Sequence, residues 1–232
     1  MRRFIGLALA GAVTLVACGE RTVETSAPSI STSPTTAIEL PAGMPATFPE
    51  DLAPADLPAS ALVPGGTEVT GLWFARTSEG DALVVAWADP RDHALHHEGG
   101  VATWRRLVGD PPWRAVYARA HSAKAGVLGV RATIADVTAD GSEDALIVQD
   151  TGGSGGCGRY LVVDLLTGSA VWERHLCDAR VDASRNPVGL LILEAVFGEG
   201  DAHCCPTGLR RTVLVYQGDG EWKGTGRELG DV

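Results

Sequence analysis

The sequence predicts an all-β fold: an antiparallel sandwich, barrel or propeller-like stack of about ten short strands, following a disordered N-terminal tether. Three observations lead there. From Gly65 onward, short runs of β-branched and aromatic residues recur between clusters of Gly, Asp and Pro, the pattern of strands joined by turns. Helical periodicity is weak throughout, with no capping residue followed by an apolar stripe of three turns. From Gly19 to about Pro64 the chain is mostly Ser, Thr, Pro and Ala, and such a stretch buries too little apolar surface to offset the entropy of ordering.

At the N-terminus, Arg2 and Arg3 precede the apolar run Phe4–Ala10 and the small residues Gly11 and Ala12. A charged start, an apolar middle and a small-residue exit describe a secretory signal rather than a spanning helix. Leu15-Val16-Ala17 stands directly before Cys18 and resembles the lipobox of bacterial lipoproteins. The resemblance implies cleavage before Cys18, acylation of Cys18, and attachment to the extracytoplasmic face of a cell membrane. Residues 1–17 are then a lipoprotein signal peptide. Residues 18–64 are the lipidated cysteine and its tether, and 65–232 form a single β domain. Thr25–Thr36 is the most polar part of the tether, while Met44 and Phe48 further on are apolar enough to dock on the domain. Roughly 165 residues then remain, enough for one core.

Charge narrows the partners. The formal net charge is −10, and export would remove Arg2 and Arg3 and bring it to −12. An acidic chain does not suit nucleic acid, which is held by clustered positive charge. It equally disfavours a polybasic contact with anionic lipid, so the acyl anchor is the expected membrane partner.

The expected strands are Glu68–Arg76, Ala82–Ala88, Val101–Val108, Arg114–Arg119, Val127–Ala135 and Asp144–Gln149. They continue with Arg159–Leu166, Ala170–Leu176, Leu190–Phe197, Arg211–Gln217 and Glu221–Gly226. One hairpin is nearly explicit, because Tyr160–Leu165 and Ser169–His175 flank a turn ending in Gly168. The phrase Asp164-x-x-Thr167-Gly168-x-x-x-Trp172 resembles the turns of quinone-enzyme propeller repeats. It occurs once, so it does not establish a propeller. The six tryptophans lie mostly in strands and are expected to fill the core.

Without Cys18, four cysteines remain: Cys157, Cys177, Cys204 and Cys205. An even count in an exported domain reads as two disulfides. A three-residue turn at 166–168 sets Cys157 opposite Cys177, within bonding reach across two strands. Either these two join, leaving neighbours Cys204 and Cys205 to each other, or each takes one of the adjacent pair. The second arrangement is favoured, because a bond between sequence neighbours needs a distorted peptide. A thiol-redox site at Cys204/Cys205 lacks Cys-x-x-Cys at a helix start. A zinc site could draw on His175, Cys177, His203, Cys204 and Cys205. Structural disulfides are preferred to both.

Asp136-Val-Thr-Ala-Asp140-Gly-Ser-Glu-Asp144 is the strongest candidate for a ligand site. Oxygen donors on Asp136, Thr138, Asp140, Ser142 and Asp144 have the alternating spacing that wraps Ca²⁺. Position 12 of a helix–loop–helix calcium site falls on Ile147, where that site needs Glu. With strands on both sides, the loop instead resembles the acidic loops of integrin-type propeller repeats (the FG-GAP/VCBS type). Thr138 and Ala139 depart from that pattern. The plainer reading, preferred on the residues, is a turn whose carboxylates accept backbone N–H bonds. No cofactor is required in that case.

Other motifs are weaker. The glycine-rich stretch 152–158 precedes a strand rather than the helix a phosphate loop needs. His93, His96 and His97 are read as a surface loop, and no serine has a Gly-x-Ser-x-Gly setting. The lipobox-like stretch ending at Cys18, the polar tether, the acidic loop running into Ala145–Val148 and the Asp201–Pro206 segment together resemble actinobacterial envelope lipoproteins of the LppP/LprE type. That resemblance spans roughly residues 100–227 and implies a small exported β domain without catalytic residues to carry over. The expected role is non-enzymatic: an accessory or scaffold protein binding a protein or small molecule. The alternatives are a calcium-dependent adhesion module and a thiol-redox protein.

Overall fold

Thirteen strands are seen among the described residues of a computed structural model, which are 38–48, 59–76, 79–90, 98–153, 156–198 and 206–229. β1 (Thr47–Phe48) is short. β2 (Glu68–Arg76), β3 (Gly80–Ala88), β4 (Gly99–Leu107) and β5 (Asp110–His121) form a meander, with β1 added at the β5 edge. A second meander holds β6 (Gly129–Ala135), β7 (Asp144–Gly152), β8 (Cys157–Asp164) and β9 (Ala170–Leu176). The third holds β10 (Ala179–Arg185), β11 (Val188–Val196), β12 (Gly208–Gly218) and β13 (Glu221–Leu229). Every pairing is antiparallel, and the sheets do not close into a barrel. The all-β class expected from the strand pattern is the class observed.

The second sheet is the middle layer. Ala145 and Ile147 of β7, with Leu161 and Val163 of β8, face Ala82, Val84 and Val101 of the first sheet. On the opposite face Leu146, Val148, Tyr160, Val162 and Trp172 meet Val181, Leu190 and Ile192 of the third. Side chains alternate between faces along a strand, so burial on both faces requires unbroken apolar runs. Ala145–Val148 and Tyr160–Val163 are such runs. Each fully buried Leu, Ile or Val contributes about 1.5–3 kcal/mol relative to exposure.

The first sheet's outer face is covered by the chain's own N-terminal part. Met44, Phe48, Leu62 and Val63 pack on Leu83, Val85, Trp87, Ala102, Trp104 and Trp113. Phe48 stacks on Trp113 at 5.3 Å between centroids, and Trp104 Nε1 donates to the Pro45 carbonyl at 3.3 Å. The expected docking of Met44 and Phe48 is observed. The described parts of residues 18–64 thus supply apolar side chains that cover the first sheet, and they fall within the compact unit spanning Ala37–Val232. All six tryptophans take part in the core clusters, Trp73 and Trp222 at their margins.

β10 is absent from the strands expected from the sequence. In Ala179–Arg185 the one large apolar residue is Val181, so the segment carries little intrinsic strand signal. It is held by a seven-pair ladder to β11 and by its place over the second sheet, where Tyr160 Oη donates to the Ala179 carbonyl at 2.6 Å. Only Cys177 and Asp178 separate it from β9.

The β8–β9 hairpin has the register its turn implies, Gly158 opposite Leu176 through Val162 opposite Trp172, with a shift after Val162. Asp164 organises the turn: its Oδ1 accepts Leu166 N at 2.6 Å and its Oδ2 accepts Thr167 Oγ1 at 2.7 Å. Gly168 follows at φ +72°, where a Cβ would lie 1.8 Å from the Val116 carbonyl oxygen of β5. The turn therefore seats directly on the first sheet. Gly168→Ala should combine an unfavourable φ with that clash and destabilise by about 2 kcal/mol or more. Urea unfolding, with exposed Ser169→Ala as control, measures it; equal midpoints for the two variants would refute the close seating.

Candidate functional site

The acidic loop joins β6 to β7 and is built from short-range hydrogen bonds. Asp136 Oδ1 accepts Ala139 N at 2.7 Å, and its Oδ2 accepts Gly141 N at 3.2 Å. Asp140 Oδ1 accepts Ser142 N at 2.7 Å. Asp144 Oδ2 accepts three donors, Val137 N at 2.9 Å, Thr138 N at 3.0 Å and Thr138 Oγ1 at 3.0 Å. Ser142 Oγ donates to Glu79 Oε2 of the first sheet at 3.2 Å. The five oxygen-bearing residues thus hold the turn itself together, as Asx-type loops do. Among the described residues no group of three or more His, Cys, Asp or Glu is arranged to hold a metal ion.

Asp144 is the chemically unusual member. It is 1% exposed, and its Oδ1 is buried without a hydrogen-bond partner. Burial pushes its carboxyl up from 3.8 to about 6; the donors at Val137 and Thr138 act against this, and Asp140 adds to it. Desolvation disfavours the ionised form, and here it outweighs three hydrogen bonds.

The cysteines differ from the favoured arrangement. Cys157, at the start of β8, is bonded to Cys177, just beyond the end of β9. Neither can therefore bond to Cys204 or Cys205, and Cys177 is not a thiolate ligand for zinc. The reason is register: the two sit one step beyond the Gly158–Leu176 pair, so their side chains meet as the hairpin forms. Thr151 Oγ1 donates to the Cys157 carbonyl at 3.0 Å and lies 3.3 Å from His175 Nε2. Cys18, Cys204, Cys205, His203, His93, His96 and His97 fall outside the described residues.

A second candidate lies at the opposite end of the layer between the first and second sheets, where sequence reasoning placed nothing. Ladder pairing sets Glu68, Ala88, Gly99 and His121 in one row across four strands. The row shares the face of Val101 and Val84, which pack on the second sheet. Gly99 is buried beneath the His121 ring, whereas Ala88 is too small to fill the layer. A pocket of about 220 Å³ results, lined by Glu68, Ala88 and His121 of the row and by Thr70, Asp89, Val127, Leu128 and Val130. Behind it Gln149, 1% exposed, places Nε2 3.5 Å from His121 Nδ1. A cleft between β6 and β10, of about 350 Å³, has a more polar, mixed lining that includes Thr133, Asp136, Asp182 and Arg185. Members of the first row are separated by 11 to 22 residues in sequence. Nothing local marks these residues as neighbours, because only strand register brings them together.

The buried carboxyl generates a pH dependence. A carboxyl that binds its proton more tightly in the native than in the unfolded chain favours folding fully below its unfolded value, and this contribution is lost as pH rises through about 6. The parent should therefore lose stability between about pH 4 and pH 6, on the order of 2–3 kcal/mol, relative to Asp144→Asn. Urea midpoints of the two proteins at a series of pH values give the difference; parallel profiles would show that Asp144 does not titrate in that range.

No protein-family model matches the chain, and neither a curated protein nor a solved structure does.

Proposed function

We propose that the chain is an exported, lipid-anchored binding module without catalytic activity. Cys18 would hold it at the extracytoplasmic face of the membrane, and the pocket framed by Glu68, Ala88 and His121 would receive the ligand. The observation that carries the binding half is the pocket: apolar walls from Val127, Leu128 and Val130 meet a few polar groups at one end of an otherwise filled layer. Concave, mostly apolar sites with few placed polar groups are the usual form of small-molecule sites. Export is supported by the lipobox-like Leu15–Cys18 stretch and by the Cys157–Cys177 bond, since such bonds persist in oxidising compartments.

Calcium-dependent binding at the acidic loop is a second reading, favoured by one observation, the partnerless Oδ1 of Asp144. It would require Asp136 and Asp140 to exchange backbone N–H partners for the ion. Calorimetry with Ca²⁺ should give heat that disappears in Asp140→Ala if this reading is right; a parent protein that gives no heat removes it.

The anchor is tested by fractionation. Cys18→Ala should move the protein from the membrane to the soluble extracytoplasmic fraction, while the parent stays with the membrane. A variant that still sediments with membranes would overturn the assignment of Cys18.

A further inference from the structure

Resting on the binding reading above, we infer that the pocket between the first and second sheets takes a small organic ammonium ion with an apolar body. Its size sets the first limit. A cavity of about 150 Å³ holds benzene, so about 220 Å³ suits roughly nine non-hydrogen atoms. Its walls set the second, because Val127, Leu128 and Val130 offer nothing to a ligand that is polar throughout.

Charge sets the third. The charged residues lining the pocket among those described are Glu68 and Asp89; no Lys or Arg lines it. The chain as a whole carries −10. A carboxylate ligand would enter against that field, whereas a cation is drawn by it. Glu68 stands at one end of the row and His121 at the other, three strand spacings apart, about 14 Å. The His121 ring lies over Gly99, where a Cβ would come 3.2 Å from its Nε2, so the open floor between the acidic end and the imidazole is Ala88. A ligand with its ammonium toward Glu68 would lay its apolar part over Ala88 and against Val127, Leu128 and Val130. Gln149 behind His121 keeps that end of the pocket buttressed by a buried side chain.

The test uses the full chain and two aromatic probes of equal non-hydrogen atom count and opposite charge, 2-phenylethylammonium and benzoate, followed by NMR. The ammonium should bind at about millimolar Kd, with shifts confined to residues around Ala88, His121 and Val127–Val130. The carboxylate should bind at least fivefold more weakly. Glu68→Gln should weaken the ammonium about threefold and reduce the effect of added salt. Ala88→Leu should fill the floor and abolish binding; should that variant fail to fold, the shift map of the parent protein decides by its location. A carboxylate that binds as tightly as the ammonium overturns the charge class and leaves the binding reading standing. If neither probe shifts these residues at about 10 mM, both fall.

Discussion

The domain depends on a sheet that cannot be left half in water. β7 and β8 are apolar on both faces, so the second sheet needs a partner on each side at once. Ala145, Ile147, Leu161 and Val163 require the first sheet, and Leu146, Val148, Val162 and Trp172 require the third. Removing either flanking layer would expose several large side chains at about 25 cal/mol per Å² of apolar surface. The first sheet passes the same requirement outward. Its far face carries Trp104 and Trp113, and Met44, Phe48, Leu62 and Val63 close it. Three sheets and an N-terminal cover thus form one cooperative arrangement.

The rims of the layers are where polar chemistry enters. At one end Asp144 opens β7 inside the core, and residues 136–142 fold back so that Val137 and Thr138 can donate to it. Nearby, Arg105 reaches the Leu166 carbonyl and Glu79, and farther along the layer, toward its other end, Arg119 pairs with Glu173 across the two sheets. Exposed ion pairs of this kind contribute at most about 1 kcal/mol each, so they orient the layers more than they hold them. At the other end Ala88 leaves the layer unfilled, and a pocket forms where the packing stops. The acidic loop is an answer to buried charge; the pocket is a consequence of a small residue standing in register between Glu68 and the strand that carries His121.

Much of the fold was legible because burial on two faces writes itself as unbroken apolar runs. Ala82–Ala88, Ala145–Val148 and Arg159–Leu166 read as strands for that reason. Asp164-x-x-Thr167-Gly168 located a turn, because Asp and Thr side chains cap it and glycine supplies the positive φ. β10 was not legible: Val181 stands among small and charged residues, and only the ladder to β11 makes it a strand. The cover at 38–48 and 59–64 looked like tether because its few apolar residues are dispersed among Pro, Ala and Gly, and their value appears only against Trp104 and Trp113. Turn length placed Cys157 and Cys177 within reach of each other. The competing arrangement through Cys204 and Cys205 is nonetheless the one the sequence favours, because leaving those two neighbours to each other would need a distorted peptide.

By itself, then, the sequence determined what depends on neighbours along the chain: strand identity, the capped turns and the hydrogen-bonding character of the acidic loop. Tertiary structure decided what depends on register and layering. It chose the disulfide partner, raised the Asp144 carboxyl by burying it, enlisted the N-terminal segment as a cover, and brought Glu68, Ala88, Gly99 and His121 into one row. The division has a physical cause. Local hydrogen bonds and propensities act over a few residues, whereas a pocket or a desolvated carboxyl exists only once distant segments have excluded water together.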